Sequence, residues 1–252
     1  MLTRAQHHHF AEHGFLLLPG LVPEHLLAAA DQEVDALLAA DPPPVGTVGP
    51  HFWFLPPGQL PAADATLRKS DALAHAESLV TPHHLTHGLD HIQVALNIPP
   101  RAHRPGGPHI DGHRAAQAHP HTFSMLLAVF LGDEHSVDSG NLWVWPGSHL
   151  VHQQLFKARG VNALLPVDGH ITLLADPPDI GTPVPILANR GDVLIAHYLL
   201  GHNSGGNLTE RTRRALYFRM RCHDHAARWD ATLLDAFKEY APVRDAANSQ
   251  DR

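Results

Sequence analysis

The sequence contains little cysteine and little charge. Only one of its 252 residues, Cys222, is a cysteine. A single cysteine excludes an internal disulfide and any zinc or iron–sulfur site built from several cysteines. Charged residues make up 17% of the chain, and 18 basic against 25 acidic side chains give a formal net charge of −7. Proteins that bind nucleic acid need a basic face, so this acidic balance disfavours that class.

Membrane and export signals are also missing from the sequence. No apolar run reaches the roughly 18 residues that a transmembrane helix requires. The first residues lack the basic and apolar layout of a signal peptide. We therefore expect a cytoplasmic protein that acts without a membrane. The hydrophobic residues, at 44% of the chain, are sufficient for a sizeable buried core.

Turn-forming residues and histidine are plentiful. The chain has 19 glycines, 22 prolines and 24 histidines. We interpret most of the histidines as compositional bias and expect a few of them to bind metal. Glycine and proline separate a series of short apolar segments, a pattern typical of a sandwich or jelly roll and not of alternating strands and helices. The predicted strands span residues 91–98, 122–131, 141–145, 169–174, 192–197 and 214–220.

Helices are predicted on either side of these strands. Apolar residues at helical spacing predict a helix that begins near Pro23 and ends before the prolines at 42–44, after a short strand within 14–20. We expect one or two short helices within 64–90. The aromatic cluster in the Pro- and Gly-rich segment 45–60 predicts a loop that is either held against the core by its aromatic side chains or closes over a pocket.

A candidate metal site begins with His109 and Asp111. On a strand, residues two apart point to the same face, so these side chains can offer one nitrogen and one oxygen to a single ion. By itself this pair is weak evidence in a histidine-rich chain. A further histidine from a neighbouring strand, His202 or its rival His197, would complete the set of two histidines and one carboxylate that non-heme Fe(II) oxygenases use.

The ordered set of motifs resembles the phytanoyl-CoA dioxygenase family of Fe(II)/2-oxoglutarate oxygenases, which includes ectoine hydroxylases. The resemblance extends from about residue 10 to about residue 220. It rests on FAEHGF at 10–15, His-Ile-Asp at 109–111, SGNLWVWPGSH at 139–149, the strand that begins at Gly191, and His202 with Arg213 eleven positions later.

The resemblance implies a role for each matched residue. His109, Asp111 and His202 would bind Fe(II), and Arg213 would hold the distal carboxylate of 2-oxoglutarate through its two-pronged guanidinium. A second group of residues, Ser204 and Asn97, would add contacts to 2-oxoglutarate. The chain departs from the family pattern at Ile110, where glutamine is common, and at Gly106, where an aromatic residue is common.

Two competing assignments depend on strand geometry. His197 lies inside an apolar segment, which favours a packed histidine over an iron ligand. Arg211 and Arg214 are rivals of Arg213, and strand alternation places Arg214 on the opposite face from Arg213.

The implied architecture is a mainly β double-stranded β-helix, or cupin-like jelly roll, with flanking helices. We expect one domain over 1–252, with a core at about 91–221, helical support at 1–90 and a C-terminal helix at about 226–240. The implied reaction oxidises, most simply hydroxylates, a C–H bond of a small, partly apolar molecule. It uses Fe(II), 2-oxoglutarate and O₂ and releases succinate and CO₂, and ascorbate would help in vitro.

Several alternatives stay open at this point. Desaturation, epoxidation and ring closure use the same cofactors. Halogenation is disfavoured, because Asp111 occupies the position that a halide would take. A cupin-like isomerase or hydrolase without redox chemistry, or a non-catalytic module that binds a small molecule, would also fit a jelly roll.

Overall fold

The computed structural model describes residues 1–105, 107–111, 122–164 and 178–249. Helices cluster toward the two ends of the described chain. The first four helices lie before the long central strands, one follows the PGSH motif, and two are C-terminal. They are α1 (Arg4–His13), α2 (Glu24–Ala40), α3 (Pro61–Arg68), α4 (Ala72–Val80), α5 (Ser148–Arg159), α6 (Trp229–Leu234) and α7 (Ala241–Asn248). No helix within these described ranges has the length and apolar character needed to cross a membrane.

The strands of the described residues form two antiparallel sheets. They are β1 (Phe15–Leu18), β2 (Gly49–Leu55), β3 (Leu85–Ile98), β4 (Met125–Phe130), β5 (Leu142–Val144), β6 (Val184–Pro185), β7 (Val193–His197), β8 (His202–Ser204) and β9 (Arg213–Cys222). The main sheet has the order β1-β7-β4-β9-β3-β2, and the smaller sheet has the order β6-β5-β8. This arrangement confirms the predicted mainly β fold with flanking helices. The strand predicted at 169–174 lies outside the described residues.

Two buried apolar clusters lie on the two faces of the main sheet. Alternate residues of β3 show the division: Val94 belongs to the cluster that packs under the helices, and Ala95 belongs to the cluster between the sheets. Helix α2 contributes Leu27, Ala30 and Val34 to the first cluster, at the three- and four-residue spacing of an amphipathic helix. The second cluster faces the smaller sheet, and we call this side of the main sheet the inner face.

The structure corrects three boundaries. Residues 49–55 are not a loop: they form β2, which pairs with β3 over seven residues. The first 90 residues are therefore more than helical support, because β1 and β2 form the two edges of the main sheet and β3 already begins at Leu85. The single helix predicted at 226–240 is replaced by the shorter α6, and a further helix, α7, lies entirely beyond the predicted range. The strand within 14–20 is confirmed. Two short helices are present as predicted near 64–90, although α3 begins three residues before that range.

Candidate active site

Two of the three predicted metal ligands, His109 and His202, lie on segments that are joined by backbone hydrogen bonds. His109 and His202 form an isolated antiparallel bridge, in which each backbone N–H donates to the carbonyl of the other at 3.1 and 3.0 Å. The carboxylate of Asp111 lies beside both rings, with Oδ1 3.3 Å from His109 Nε2 and 3.6 Å from His202 Nε2. All three ligand atoms lie within 4.8 Å of one another, a separation that suits one metal ion. The structure thus brings together the three residues selected from the sequence.

An arginine that the sequence analysis missed holds the other oxygen of this carboxylate. Arg219 Nε and Nη2 donate to Asp111 Oδ2 at 2.8 and 2.5 Å. Burial by itself would raise the pKa of Asp111, but the Arg219 guanidinium and hydrogen bonds from the two histidines hold that pKa well below its usual range. Asp111 is therefore ionised and keeps Oδ1 directed at the histidines. Strand parity was the sequence signal for Arg219, because this residue lies six positions after Arg213 on β9 and hence on the same face.

Different contacts prepare the two histidines as ligands. Burial, followed by the Coulombic effect of the neighbouring His202, lowers the pKa of His109. The Nδ1 of His202 lies 3.0 Å from the carbonyl of Leu200. When Nδ1 carries a proton and donates it to that carbonyl, Nε2 is the ring nitrogen that can bind a metal ion.

The rival histidine has a structural role. His197 is buried, its Nε2 lies 2.7 Å from the carbonyl of Ala236, and its Nδ1 accepts the backbone N–H of Leu199. Burial lowers the pKa of His197 to about 4, so its ring is neutral at pH 7. Both ring nitrogens already have partners, which agrees with the interpretation of His197 as a packed histidine.

Arg213 is buried on the inner face in a polar cluster. Its Nε donates to Glu134 Oε1 at 2.6 Å, and its Nη2 donates to the hydroxyl of Tyr217 at 2.7 Å. The ring of Phe130 lies 5.8 Å below the guanidinium. Burial raises the pKa of Glu134, although the Arg213 charge opposes this shift. The sequence analysis found Arg213 but missed Glu134, which lies 79 residues earlier and carries no local pattern.

Asn97 lies directly beside Arg213. The two are paired in the register of β3 and β9, and Asn97 Nδ2 donates to the carbonyls of Gly140 and Gly205 at 3.3 and 2.9 Å. Gly140 has φ +85°, and a Cβ added there would lie 2.9 Å from the Cβ atoms of both Asn97 and Arg213. Only glycine fits this position without displacing the pair. The third predicted cosubstrate residue, Ser204, lies at the end of β8 and is half-buried.

The two rival arginines, Arg211 and Arg214, lie away from the polar cluster around Arg213. Arg214 points to the opposite face of β9, where its Nη1 donates to Asp35 of α2 at 2.7 Å. Arg211 is exposed in the turn before β9.

Comparison of the sequence with protein-family models gives one match, to phytanoyl-CoA dioxygenase (PhyH), over residues 10–215. The chain belongs to this family. The resemblance read from its motifs is thereby confirmed. No curated protein matches the chain by sequence.

Solved structures with the same fold include metal- and 2-oxoglutarate-bound enzymes. HygX from Streptomyces hygroscopicus, with nickel and 2-oxoglutarate bound, is 20% identical, with 87% of each chain covered and a TM-score of 0.59. SnoK, a non-heme alpha ketoglutarate dependent carbocyclase from nogalamycin biosynthesis, is 16% identical, with 90% of each chain covered and a TM-score of 0.62. The epimerase SnoN, in complex with Fe³⁺, alpha ketoglutarate and nogalamycin RO, is 20% identical over 86% of this chain and 82% of its own, with a TM-score of 0.59.

The residues of this family member fit a metal ion and a polar ligand. Two imidazole nitrogens and one carboxylate oxygen are the donor set that suits Fe(II) with open positions. Three buried polar atoms near Arg213 and Asp111 have no hydrogen-bond partner in the part of the chain that the structure describes: Asn97 Oδ1, Glu134 Oε2 and Arg219 Nη1. Unpaired buried polar atoms are rare in native proteins, so these three atoms are candidate partners for a ligand or ordered water.

Proposed function

We propose that this member of the phytanoyl-CoA dioxygenase family is a dioxygenase that depends on Fe(II) and 2-oxoglutarate and hydroxylates a C–H bond of a small organic molecule. The observation that carries the proposal is the meeting of His109, Asp111 and His202 at ligand distance, opposite the inner face of the main sheet that carries the buried Arg213. One feature provides a metal site, and the other provides a cation for an anionic cosubstrate.

In this proposal the three ligands hold Fe(II) and leave three positions open. Bound Fe(II), with 2-oxoglutarate and O₂, supplies the oxidising chemistry, and succinate and CO₂ are the coproducts. The protein contributes geometry. The bridge between His109 and His202 sets the spacing of two ligands, and Arg219 keeps one oxygen of Asp111 directed at the metal.

Arg213 would hold the distal carboxylate of 2-oxoglutarate. A buried carboxylate is stable only with a charged or hydrogen-bonded partner, and the guanidinium can offer two parallel donors. Asn97 and Ser204 would add polar contacts to the same cosubstrate. The resemblance to the family supports these roles, as does the position of Asn97 against Arg213.

Reactions other than hydroxylation are open to the oxidised carbon. SnoK and SnoN are described as a carbocyclase and an epimerase, so ring closure and epimerisation occur on this fold. Desaturation and epoxidation use the same cofactors. Halogenation is disfavoured, because the carboxylate of Asp111 stands where a halide would bind.

The decisive experiment measures conversion of 2-oxoglutarate to succinate by protein loaded with Fe(II), in air, with ascorbate and a panel of small candidate substrates. We expect succinate formation that requires both Fe(II) and O₂ and that Asp111→Ala abolishes. Turnover of a substrate without 2-oxoglutarate or O₂ would instead support a non-redox metal enzyme. Binding of a small molecule without turnover under any condition would support a binding module.

A matched pair of variants tests the cosubstrate assignment. Arg213→Lys and Arg214→Lys make the same change on opposite faces of β9. The proposal requires that only Arg213→Lys raises the 2-oxoglutarate concentration needed for half-maximal turnover. An equal effect in both variants would contradict the assignment of Arg213.

A further inference from the structure

The inner face of β2 carries two exposed aromatic side chains. Phe52 and Phe54 are 43% and 45% exposed, and their ring centroids lie 6.2 Å apart. The residue between them, Trp53, points to the other face and is buried under the helices. These phenylalanines lie on the side of the main sheet that faces the metal ligands. Their exposure needs an explanation, because burial of one such ring contributes about 1.5–3 kcal/mol to stability.

The register of the sheet leads from these rings to the metal site. Phe54 pairs with Gln93 of β3, which pairs with Tyr217 of β9, so all three share the inner face. Arg219 is the next inner residue of β9 after Tyr217, and its guanidinium carbon lies 5.9 Å from the centre of the Phe54 ring. Next to Phe52 the strands carry the small residues Ala95 and Ala215, which are both buried in the cluster between the sheets.

One nitrogen of Arg219, Nη1, does not take part in binding Asp111. Its Nε and Nη2 bind Asp111, whereas its Nη1 is buried and has no partner among the residues that the structure describes. The whole residue is only 8% exposed. A buried guanidinium N–H without an acceptor is unfavourable, so an acceptor on a ligand would remove this defect.

The unpaired donor belongs to a cation. An anionic acceptor on a ligand would therefore bind it more strongly than a neutral acceptor, because a hydrogen bond between charged groups is stronger than one between neutral groups.

From these contacts we infer that Phe52, Phe54 and Arg219 form the subsite for the substrate that is oxidised, and that this substrate is a planar apolar ring with an anionic oxygen group. The ring packs against Phe54 and Phe52, and the anionic group accepts a hydrogen bond from Arg219 Nη1. Because Arg219 also holds Asp111, the anionic group lies next to the metal, and the carbon that is oxidised lies close to that group. This inference rests on the proposed oxygenase function.

The test uses 2-naphthalenesulfonate as the probe, because a sulfonate is a weak metal ligand. The protein is loaded with Mn(II) and 2-oxoglutarate under nitrogen, and binding is measured by calorimetry and by the relaxation that Mn(II) induces in the probe protons. We expect 2-naphthalenesulfonate to bind roughly 10- to 100-fold more tightly than neutral 2-naphthalenemethanol, as one charge-assisted hydrogen bond predicts. Non-aromatic cyclohexanesulfonate should also bind more weakly, and bound naphthalene protons should relax rapidly beside Mn(II).

Variants separate the two parts of the subsite. Arg219→Gln should remove the preference for sulfonate over alcohol, and Phe54→Leu should remove the preference for naphthalene over cyclohexane. Phe54→Leu does not touch Asp111, so it remains informative if Arg219→Gln weakens metal binding. The control Arg214→Gln removes an arginine from the opposite face of β9 and should change neither preference.

The outcomes distinguish this inference from the oxygenase proposal. If Mn(II) and 2-oxoglutarate bind but no probe does, or if sulfonate and alcohol bind equally, the subsite is wrong and the oxygenase proposal stands. Probe binding without relaxation by Mn(II), or preferences that survive both variants, would also overturn the subsite. Failure of Mn(II) or 2-oxoglutarate to bind would overturn both proposals.

Discussion

Glu134→Gln should strengthen the binding of 2-oxoglutarate. In the structure Glu134 is buried, contacts Arg213 at 2.6 Å, and already neutralises the guanidinium proposed to hold the cosubstrate. A second carboxylate that arrives at Arg213 must share one positive charge with the first. The backbone of Glu134 is tied to Ala188 by hydrogen bonds of 2.8 and 3.3 Å, so the carboxylate has little freedom to move away.

Two estimates agree on the size of the effect. Two carboxylates about 5 Å apart repel each other by about 3 kcal/mol at an effective dielectric constant of 20. The alternative is that Glu134 takes up a proton. From the ordinary pKa of 4.5, protonation at pH 7 would cost about 3.4 kcal/mol, at 1.36 kcal/mol per pH unit, and burial raises the pKa of Glu134 and reduces this cost. Glutamine avoids both costs, so we expect affinity to rise by roughly 10- to 100-fold.

The same substitution should destabilise the protein that lacks 2-oxoglutarate. Loss of one partner leaves Arg213 as an uncompensated buried charge, which costs about 3–5 kcal/mol in comparable cases. The distal carboxylate of 2-oxoglutarate would then replace the missing partner. The stabilisation that 2-oxoglutarate provides against unfolding should therefore be larger in Glu134→Gln than in the wild type.

The assay is calorimetric titration of 2-oxoglutarate into Zn(II)-loaded protein between pH 6 and pH 8, with urea unfolding in the presence and absence of 2-oxoglutarate. Wild-type affinity should fall as pH rises, because binding takes up a proton at Glu134, and the variant should show a flatter profile. Asp133→Asn is the matched control, since it removes an exposed carboxylate one residue away. An affinity that is unchanged or weaker in Glu134→Gln would refute the reasoning.

Three further predictions follow from the site. Alanine at any of the three proposed metal ligands should abolish binding of Mn(II) in an equilibrium titration while the circular dichroism spectrum stays unchanged; retention of tight binding would remove that residue from the ligand set. Stability should fall by up to about 3 kcal/mol between pH 6.5 and pH 4, because the folded pKa of His197 is about 4 and the unfolded state takes up the proton first; His197→Asn should reduce this slope in urea unfolding. Wild-type turnover in high chloride should give no product with a chlorine isotope pattern in mass spectrometry, because Asp111 occupies the halide position.

The fold was predictable where strands have a local signature. β4 and β7 are short apolar segments between turn residues, and their strand character is evident without tertiary context. β2 was missed because Phe52, Trp53 and Phe54 are consecutive aromatic residues, so no alternation marks the strand. Its pairing with β3 is a tertiary contact that only the folded sheet reveals.

Some residues of the candidate site were also predictable from the sequence. His109 and Asp111 are two residues apart, so strand geometry alone places them on one face. His202 and Arg213 required the spacing of a known family. The partners Glu134 and Arg219 were missed because each contacts its partner across a long sequence separation, 79 and 108 residues. Strand parity places Arg219 on the face of Arg213, but neither pairing can be identified from the sequence, because each depends on how distant segments pack together.

Gly140 gives the SGNLWVWPGSH motif a structural meaning. The glycine lies against Asn97 and Arg213, and a Cβ there would meet the Cβ atoms of both. A part of the motif that contains no functional group therefore determines how close the chain can pass to the arginine 73 positions later. In an alignment of relatives, positions 140 and 213 should vary together: a lineage with a larger residue at 140 should have moved or replaced the arginine, and a lineage that keeps the arginine should keep the glycine.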